Sequence, residues 1–437
     1  MATKKLPKSW TITNIGTVFE TATGTTPPKK DINNYFPRDI KFIKPPELLN
    51  SEIRFSEDFL SKNGGRRARI LPKYSVLVSC IGNLGKIGFS IDEIAFNQQI
   101  NAILPNKYIS PKFTFYQLLS NKFKAELEAK GSSTTVTIVN KSKFEDISFM
   151  LPPMQEQKRI VEKIEKLFKQ IDSSVSTLQK TQEKISQFRE SVLSKSLVHI
   201  GKHIVLSEVC DYIQRGKSPK YINKSILPVI NQKCIRWNAL QKQYLKYIDP
   251  SQFKDWTKER FVRNGDILWN STGTGTIGRA YLLNESDVNV PMVVDSHVTI
   301  LRPNKLILFS KYAFYFIMSP IIQRQIENLQ AGSTNQVELN RSRICSTQIP
   351  LPSLPEQRKI VAEIEKQFAA ADKMQKAVDN AIENAKKLKQ AILKKAFNGE
   401  LVPQDPKDEP AAALLAKIKE EREASKHNLK QSKRTTK

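Results

Sequence analysis

The chain runs to 437 residues, with 70 Lys and Arg against 43 Asp and Glu and a formal charge of +27. Such a length holds roughly two to four domains, and 39% hydrophobic with 8% aromatic residues is too apolar a mixture for a disordered chain. Cys80, Cys210, Cys234 and Cys345 stand far apart with no C-x-x-C pair, and Pro7 and Lys8 interrupt the stretch where a secretory leader needs its apolar core. A disulfide-stapled secreted scaffold is excluded, and a reduced, cytoplasmic protein is expected.

In chain order, residues 1–150 mix short β-branched runs such as Val76-Leu77-Val78 with Gly, Ser and Asn turns, and predict a helix near Phe113–Ala129. Residues 151–200 open on Leu151-Pro152, which stops a strand and admits a helix, because proline is tolerated in a first turn; that helix is expected over 154–198. Residues 201–350 return to strand-like runs, Ile267-Leu268-Trp269 and Val298-Thr299-Ile300, with a helix near Tyr312–Leu329. Leu306 to Ile322 is almost long enough to span a bilayer, but Lys311 sits inside it and Pro303 and Pro320 bracket it. It reads as a buried helix, and no membrane partner is expected. Residues 351–400 repeat the Leu-Pro and a long helix. Residues 401–437 add a short helix over 411–423, then a polar basic tail, SKHNLKQSKRTTK, expected to be disordered.

This order is an internal duplication. Asn140 to Asp172 aligns without a gap to Asn340 to Asp372, so Leu151-Pro152, Glu156-Gln157, Ile160-Val161 and Ile164-Glu165-Lys166 recur at a constant offset of 200. Weaker echoes precede that block. Gly24-Thr25-Thr26-Pro27 matches Gly216-Lys217-Ser218-Pro219, and Phe42-Ile43-Lys44 matches Val229-Ile230-Asn231. Gly85–Gly88 matches Gly275–Gly278, Asn97-Gln98-Gln99-Ile100 matches Asp295-Ser296-His297-Val298, and Gly131-Ser132-Ser133 matches Gly332-Ser333-Thr334. A repeat this long means two tandem α+β domains rather than a solenoid. Residues 1–150 carry 22 basic and 13 acidic side chains and residues 201–350 carry 20 and 11, a surplus of nine in each. Equal surpluses on two similar folds point to two polyanion-binding surfaces.

Along the first long helix Ile164, Ile171, Leu178, Ile185 and Val192 lie seven apart, and Ile364, Ala371, Val378, Ala385 and Ile392 keep the same register in the second. Leu167, Phe188, Met374, Ala381 and Leu388 supply part of the other seam position. A heptad sustained this far predicts a coiled coil, with the small Ala371 and Ala385 making room for Ile171 or Ile185. At ~1.5 Å per residue such a helix is roughly 65 Å long, enough to act as a spacer. Packing of each helix on its own domain is the alternative.

No catalytic constellation is visible. Gly273–Gly278 is a literal G-x-G-x-x-G, but Arg279 to Asn284 is short and β-like where a dinucleotide site needs a helix. No G-x-x-x-x-G-K-[ST] loop occurs, and His199 and His203 have no further ligands nearby. Glu128-Ala129-Lys130 has the spacing of a nuclease pair but no counterpart in the second half. Polar groups suited to DNA are plentiful instead. Lys29, Lys30, Lys44, Lys86, Lys217, Lys220 and Lys233 suit phosphates, and Arg66, Arg67 and Arg69, expected in a cationic loop after Gly64-Gly65, suit phosphate or guanine, as do Arg215 and Arg279. Asn83, Asn97, Gln98, Gln99, Asn231, Gln232, Asn335 and Gln336 can bond adenine, and His297 is a further base-contact candidate. The hydroxyls of Thr25, Thr26, Ser132, Ser133, Thr134, Ser218, Thr274, Thr276, Ser296, Ser333 and Thr334 complete the candidate set.

Taken in order, these features resemble the specificity subunits of type I restriction–modification enzymes. The resemblance rests on the two Leu-Pro and Glu-Gln blocks with Ile-Val and a long helix, and on the Gly-x-[Ser/Thr]-Pro that leads each variable region. The Gly85–Gly88 and Gly275–Gly278 loops, the Gly-Ser-[Ser/Thr] and the closing Lys395-Ala396-Phe397-Asn398-Gly399-Glu400-Leu401-Val402 add to it, over about residues 6–405. It implies target recognition domains at 1–150 and 201–350, spacer helices at 151–200 and 351–400, and a C-terminal short helix with basic tail at 401–437. Each recognition domain would read one half of a bipartite target in double-stranded DNA, and the helices, as an antiparallel coiled coil, would fix the unread gap. They would also dock two methyltransferase (modification) subunits, which bind S-adenosylmethionine and flip adenines. Two restriction (motor–nuclease) subunits using ATP and Mg would complete the complex, while this chain binds no cofactor or metal and is not an enzyme. The specificity module of another methylation-based defence complex, or a non-catalytic coiled-coil nucleic-acid-binding scaffold, fits the same residues.

Overall fold

A computed structural model describes residues 6–132, 136–197, 201–273, 275–331 and 338–435 of the chain. It divides into two compact units, Met1–Thr177 with Ala381–Lys437, and Leu178–Asn380. Each unit holds one α+β domain and half of each long helix.

In the first unit, Ile100–Ile103 pairs antiparallel with Thr21–Thr23 and with Val76–Ser79, which pairs in turn with Ile87–Ser90. Ser51–Ile53 adds a parallel edge strand. Every residue of Val76–Ser79, Ile87–Ser90 and Ile100–Ile103 is buried, so both faces of the sheet are covered and the strands read as continuous apolar runs. A second sheet sets Phe59–Leu60, Ile40–Ile43, Ile94–Phe96 and Ile70–Leu71 side by side, with Phe42 level with Ala95 in a parallel pair. The second unit repeats the plan: Cys210–Arg215, Val298–Pro303, Ile267–Asn270 and Ala280–Leu282 form the first sheet, and Val229 is level with Val293 in a parallel pair of the second. The aligned segments of the sequence therefore share pairing and register. Where the first domain sets Ser51–Ile53 beside Ile87–Ser90, the second packs a hairpin, Ile235–Arg236 with Ala239–Leu240, against Ala280–Leu282.

The first strand of each domain closes on its last, Thr11–Asn14 on Ser148–Leu151 and Lys202–Val205 on Gln348–Leu351. The Glu-Gln repeated at each helix start now has a physical reason. Gln157 and Gln357 are fully buried. Their carbonyls accept the Ser110 and Phe309 N–H groups at 3.0 and 2.7 Å, and their amides donate to the Pro152 and Pro352 carbonyls at 3.1 and 2.9 Å. A buried amide must be satisfied in this way, and here it ties the long helix to the loop before the domain's own helix pair.

The long helices run over Met154–Leu197 and Leu354–Phe397; residue 198 lies outside the described residues. In the second unit Gln182 donates to Asp379 at 2.7 Å and Arg189 to Asp372 at 2.6 Å, so one number falls by seven as the other rises by seven. The pairing is antiparallel. In the first unit Lys389 bonds Asp172 at 2.6 Å and sits 4.8 Å above the Phe168 ring, as Arg189 sits 5.6 Å above Phe368 in the second. Ile160 and Ile164 also join the core of the first domain, so a long helix packs on its own domain and on its partner helix alike.

Four expectations are corrected. The seam beside Ile164, Ile171, Leu178, Ile185 and Val192 is Phe168, Val175, Gln182 and Arg189, four residues on, and Phe188, Met374 and Leu388, 42%, 58% and 52% exposed, lie outside it; Leu167 and Ala381 are half-buried, and Leu167 packs on the core of the first domain. An α-helix returns to one face every 3.6 residues, so i and i+4 share a stripe as readily as i and i+3. Each domain has two short helices where one was predicted. Pro111–Leu118 and Asn121–Ala129 break at Ser120, whose hydroxyl accepts the Phe123 N–H, and Ser310–Met318 and Pro320–Ala331 break at Pro320. Leu306 and Ile307 accordingly precede the buried helix and are exposed. Arg66 and Arg67 close a short helix, Lys62–Arg67, instead of lying in a loop. The C-terminal helix spans Ala411–Thr435, because no Gly or Pro interrupts a stretch rich in Ala, Lys, Leu and Glu. Its first turns dock on the first unit through buried Ala411, Leu414 and Ile418, next to a two-pronged ion pair from Arg159 to Asp408.

Candidate nucleic-acid interface

The site is built around two close backbone approaches. Gly24 donates its N–H to the Ile100 carbonyl at 3.2 Å, and Gly216 donates to that of Val298 at 3.0 Å. A Cβ on either would fall 2.1 Å from a carbonyl oxygen, of Asn97 or of Val294, so only glycine fits. Each glycine thus lays the Thr25-Thr26 or Lys217-Ser218 segment across a tight turn. Those turns are matched as well. Asn97 Oδ1 accepts the Gln99 N–H at 3.1 Å, and Asp295 Oδ1 accepts the His297 N–H at 2.9 Å. The Gln99 and His297 carbonyls are held by the N–H groups of Cys80 and Ser271 at 2.8 and 2.9 Å. Across each junction one polar pair closes the cluster, Thr26 with Gln98 and Ser218 with Ser296. The scaffold is the same in both domains, and the side chains at its tips differ.

Other candidates gather on this scaffold. In the first domain the Arg69 N–H bonds Thr25 Oγ1 at 3.0 Å and its guanidinium bonds the Thr23 carbonyl at 2.9 Å. Exposed Asn83 and half-buried Lys86 lie on the glycine loop after Val76–Ser79, and the Gly82 N–H in that loop bonds the Thr137 carbonyl, near exposed Ser132, at 2.9 Å. In the second domain Thr272 Oγ1 meets His297 Nδ1 at 2.6 Å, and Asn270 ties the Gln232 and Thr276 carbonyls together at 3.1 Å each. Arg279 follows directly, and Lys233 is exposed.

Several candidates hold the protein instead of pointing free. Asn97 and Asn231 are 7% and 4% exposed, and the Asn231 amide donates to the Tyr244 carbonyl at 2.6 Å. Lys44 is paired with Asp58, Arg67 with Asp31 at 3.3 Å, and Lys220 with Asp249 at 3.0 Å. The Lys217 ammonium donates to the Asp255 carbonyl at 3.3 Å. Arg215 bonds the Ser296 carbonyl and Glu338 and braces the turn; burial pulls its pKa below the usual guanidinium value. Lys29, Lys30 and Arg66 are exposed. Ser133, Thr134, Thr274, Ser333, Thr334, Asn335 and Gln336 lie outside the described residues. Sequence reading missed Thr272, which directly precedes the Gly273–Gly278 loop whose Thr274 and Thr276 are among the candidates, and the Arg236-Trp237-Asn238 hairpin, whose signal was a Trp-Asn pair between Ile235-Arg236 and Ala239-Leu240.

Charge, duplication and the two loop clusters describe a protein with two tandem DNA-recognition domains. Residues 7–187 and 202–384 both match the family described as the type I restriction modification DNA specificity domain, and the chain belongs to that family. It is 25% identical to the type I restriction enzyme EcoKI specificity subunit of Escherichia coli (strain K12), over 97% of this chain and 98% of the relative. It is 26% identical to the StySPI specificity subunit of Salmonella potsdam, over 96% and 97%. Its fold matches a chain solved in work on complex assembly and conformational transition of the type I R-M system, with a TM-score of 0.69 at 21% identity over 91% of this chain and all of that one. The HsdS subunit of Thermoanaerobacter tengcongensis gives 0.50 at 21% identity, over 91% and 98%. The chain is a specificity subunit of a type I restriction–modification system, with two recognition domains.

Proposed function

We propose that each recognition domain reads one half of a bipartite, asymmetric target in duplex DNA through its loop cluster, and that the chain catalyses nothing itself. One observation carries this reading. An equivalent hydrogen-bonded frame occurs in both domains with different tips, Thr26, Gln98 and Gln99 in one and Ser218, Ser296 and His297 in the other. One frame with two sets of base-contacting groups gives two different half-sites. Phosphate contacts from exposed Lys29, Lys30, Arg66 and Lys233 supply affinity that falls as salt rises.

Methyl transfer and cleavage belong to partners in this reading: two modification subunits with S-adenosylmethionine, and two restriction subunits with ATP and Mg. The complex works in the cytoplasm, where its DNA is. Co-expression with the native modification subunit and mapping of methylated adenines across the host genome tests it. The expected result is a single motif of two short blocks around a fixed unread gap. Methylation at one contiguous block would show that one domain alone reads DNA.

A further inference from the structure

We infer that the second domain carries an additional DNA-reading element, the hairpin tip Trp237-Asn238 with Arg279 beside it; this rests on the reading of the loop clusters as a DNA interface. The hairpin pairs Ile235 with Leu240 and Arg236 with Ala239, leaving two residues at the tip. Arg236 stiffens it by donating to the Lys233 and Ile235 carbonyls at 3.0 and 2.9 Å. The hairpin continues the loop cluster in space. Lys233 and Gln232 lead into it, Asn270 ties Gln232 to Thr276, and the Arg279 N–H bonds the Thr276 carbonyl at 3.3 Å.

Together the tip and Arg279 line a cleft of roughly 720 Å³ whose other charged walls are Arg236, Arg189 and Asp372. The one carboxylate among its described lining residues is already bonded to Arg189 at 2.6 Å, so among the described residues nothing in the cleft compensates the charge of Arg236 and Arg279. Arg279 and exposed Asn238 make no side-chain hydrogen bond or ion pair with any described residue. An unpaired Asn at a rigid tip can bond an adenine edge bidentately, an unpaired Arg suits phosphate or guanine, and an indole beside them offers a stacking face. The corresponding edge of the first domain is a sheet strand, Ser51–Ile53, with its backbone hydrogen-bonded to Ile87–Ser90. The two half-sites are therefore read by unlike devices.

The test is methylation mapping with the full chain and its modification subunit, comparing the parent with Asn238→Ala and Arg279→Ala. Both side chains are at the surface of the cleft, so neither change opens the core. Asn238→Ala is expected to make one position of a single half-motif degenerate, with about ten- to hundredfold less discrimination there and the other half-motif intact. Arg279→Ala is expected to lower methylation or to relax a position in that same half-motif. An unchanged motif and unchanged methylation in both variants would overturn the proposal. So would a lower yield of co-purified modification subunit with the motif intact, which would make the cleft a protein-docking surface. If the parent itself gives no two-block motif, it is the two-domain reading that fails.

Discussion

Asn97 and Asp295 hold equivalent turns with different chemistry. Both accept a backbone N–H two residues on, but Asn97 is neutral, whereas Asp295 is a carboxylate only 2% exposed. Burial pushes the Asp295 pKa above the usual carboxylate range, against the opposing pull of the His297 N–H and charge, Lys246 and Tyr221. Burial and the Asp295 charge also push the Tyr221 hydroxyl up to about 12. A carboxyl with a raised native pKa binds its proton more tightly folded than unfolded. The native state then loses stability as pH rises from about 3.9 through the folded value, and the whole cost is present once the pH lies above that folded value. Asp295→Asn keeps the Oδ1 acceptor that the first domain uses and removes the charge. Thermal melts of the full chain should show the variant melting higher at pH 7, with the advantage shrinking as the pH falls towards the ordinary carboxylate value. A lower melting point at pH 7 would mean that the hydrogen bonds of the carboxylate outweigh its burial.

Among the elements, the long helices show most clearly what a sequence pattern can and cannot specify. The heptad of Ile164 to Val192 and of Ile364 to Ile392 was legible because both rows are apolar, and all ten side chains are buried or half-buried. Its companion row was not, because Gln182, Arg189 and Lys389 look like solvent-facing residues until Asp379, Asp372 and Asp172 are placed opposite them. Leu388 and Met374 were assigned inward on hydrophobicity alone. The difference has a measurable consequence. Ala371 is 1% exposed and Met374 58%. Ala371→Leu should overpack the seam and cost about 1–3 kcal/mol, whereas Met374→Ser should stay within about 0.5 kcal/mol of the parent, both by denaturant unfolding. Equal effects would put Met374 back in the seam. The strands Val76–Ser79, Ile267–Asn270 and Val298–Pro303 were legible for a similar reason as the first heptad row, as short apolar runs bounded by turn residues. The loop clusters were legible only as lists of polar residues. Which of them point outward depends on bonds such as Lys44 with Asp58 or Asn231 with Tyr244 that no spacing encodes.

For the molecule as a whole, the duplication makes the two helices one device. Each unit takes the start of one helix and the end of the other, so neither can be shortened alone without breaking the bonds Lys389–Asp172 and Arg189–Asp372. Shortening both at matched positions preserves them. Deleting residues 179–185 and 376–382 removes one heptad from each helix, joins Leu178 and Val192 in unbroken register, and does the same for Ala371 and Ala385. A heptad is nearly two whole turns, so the two ends rotate by only about 20° relative to each other. The helix shortens by about 10 Å, the rise of roughly three base pairs. If the helices set the unread gap, the double deletion should methylate a target with the same two half-sequences and a gap about three base pairs shorter. The loop clusters, which contain none of the deleted residues, should read as before. A methylation map with the parental gap would show that the distance is set elsewhere, for instance by bending of the DNA or by the partner subunits. A changed half-sequence would show that the helices also orient the reading loops.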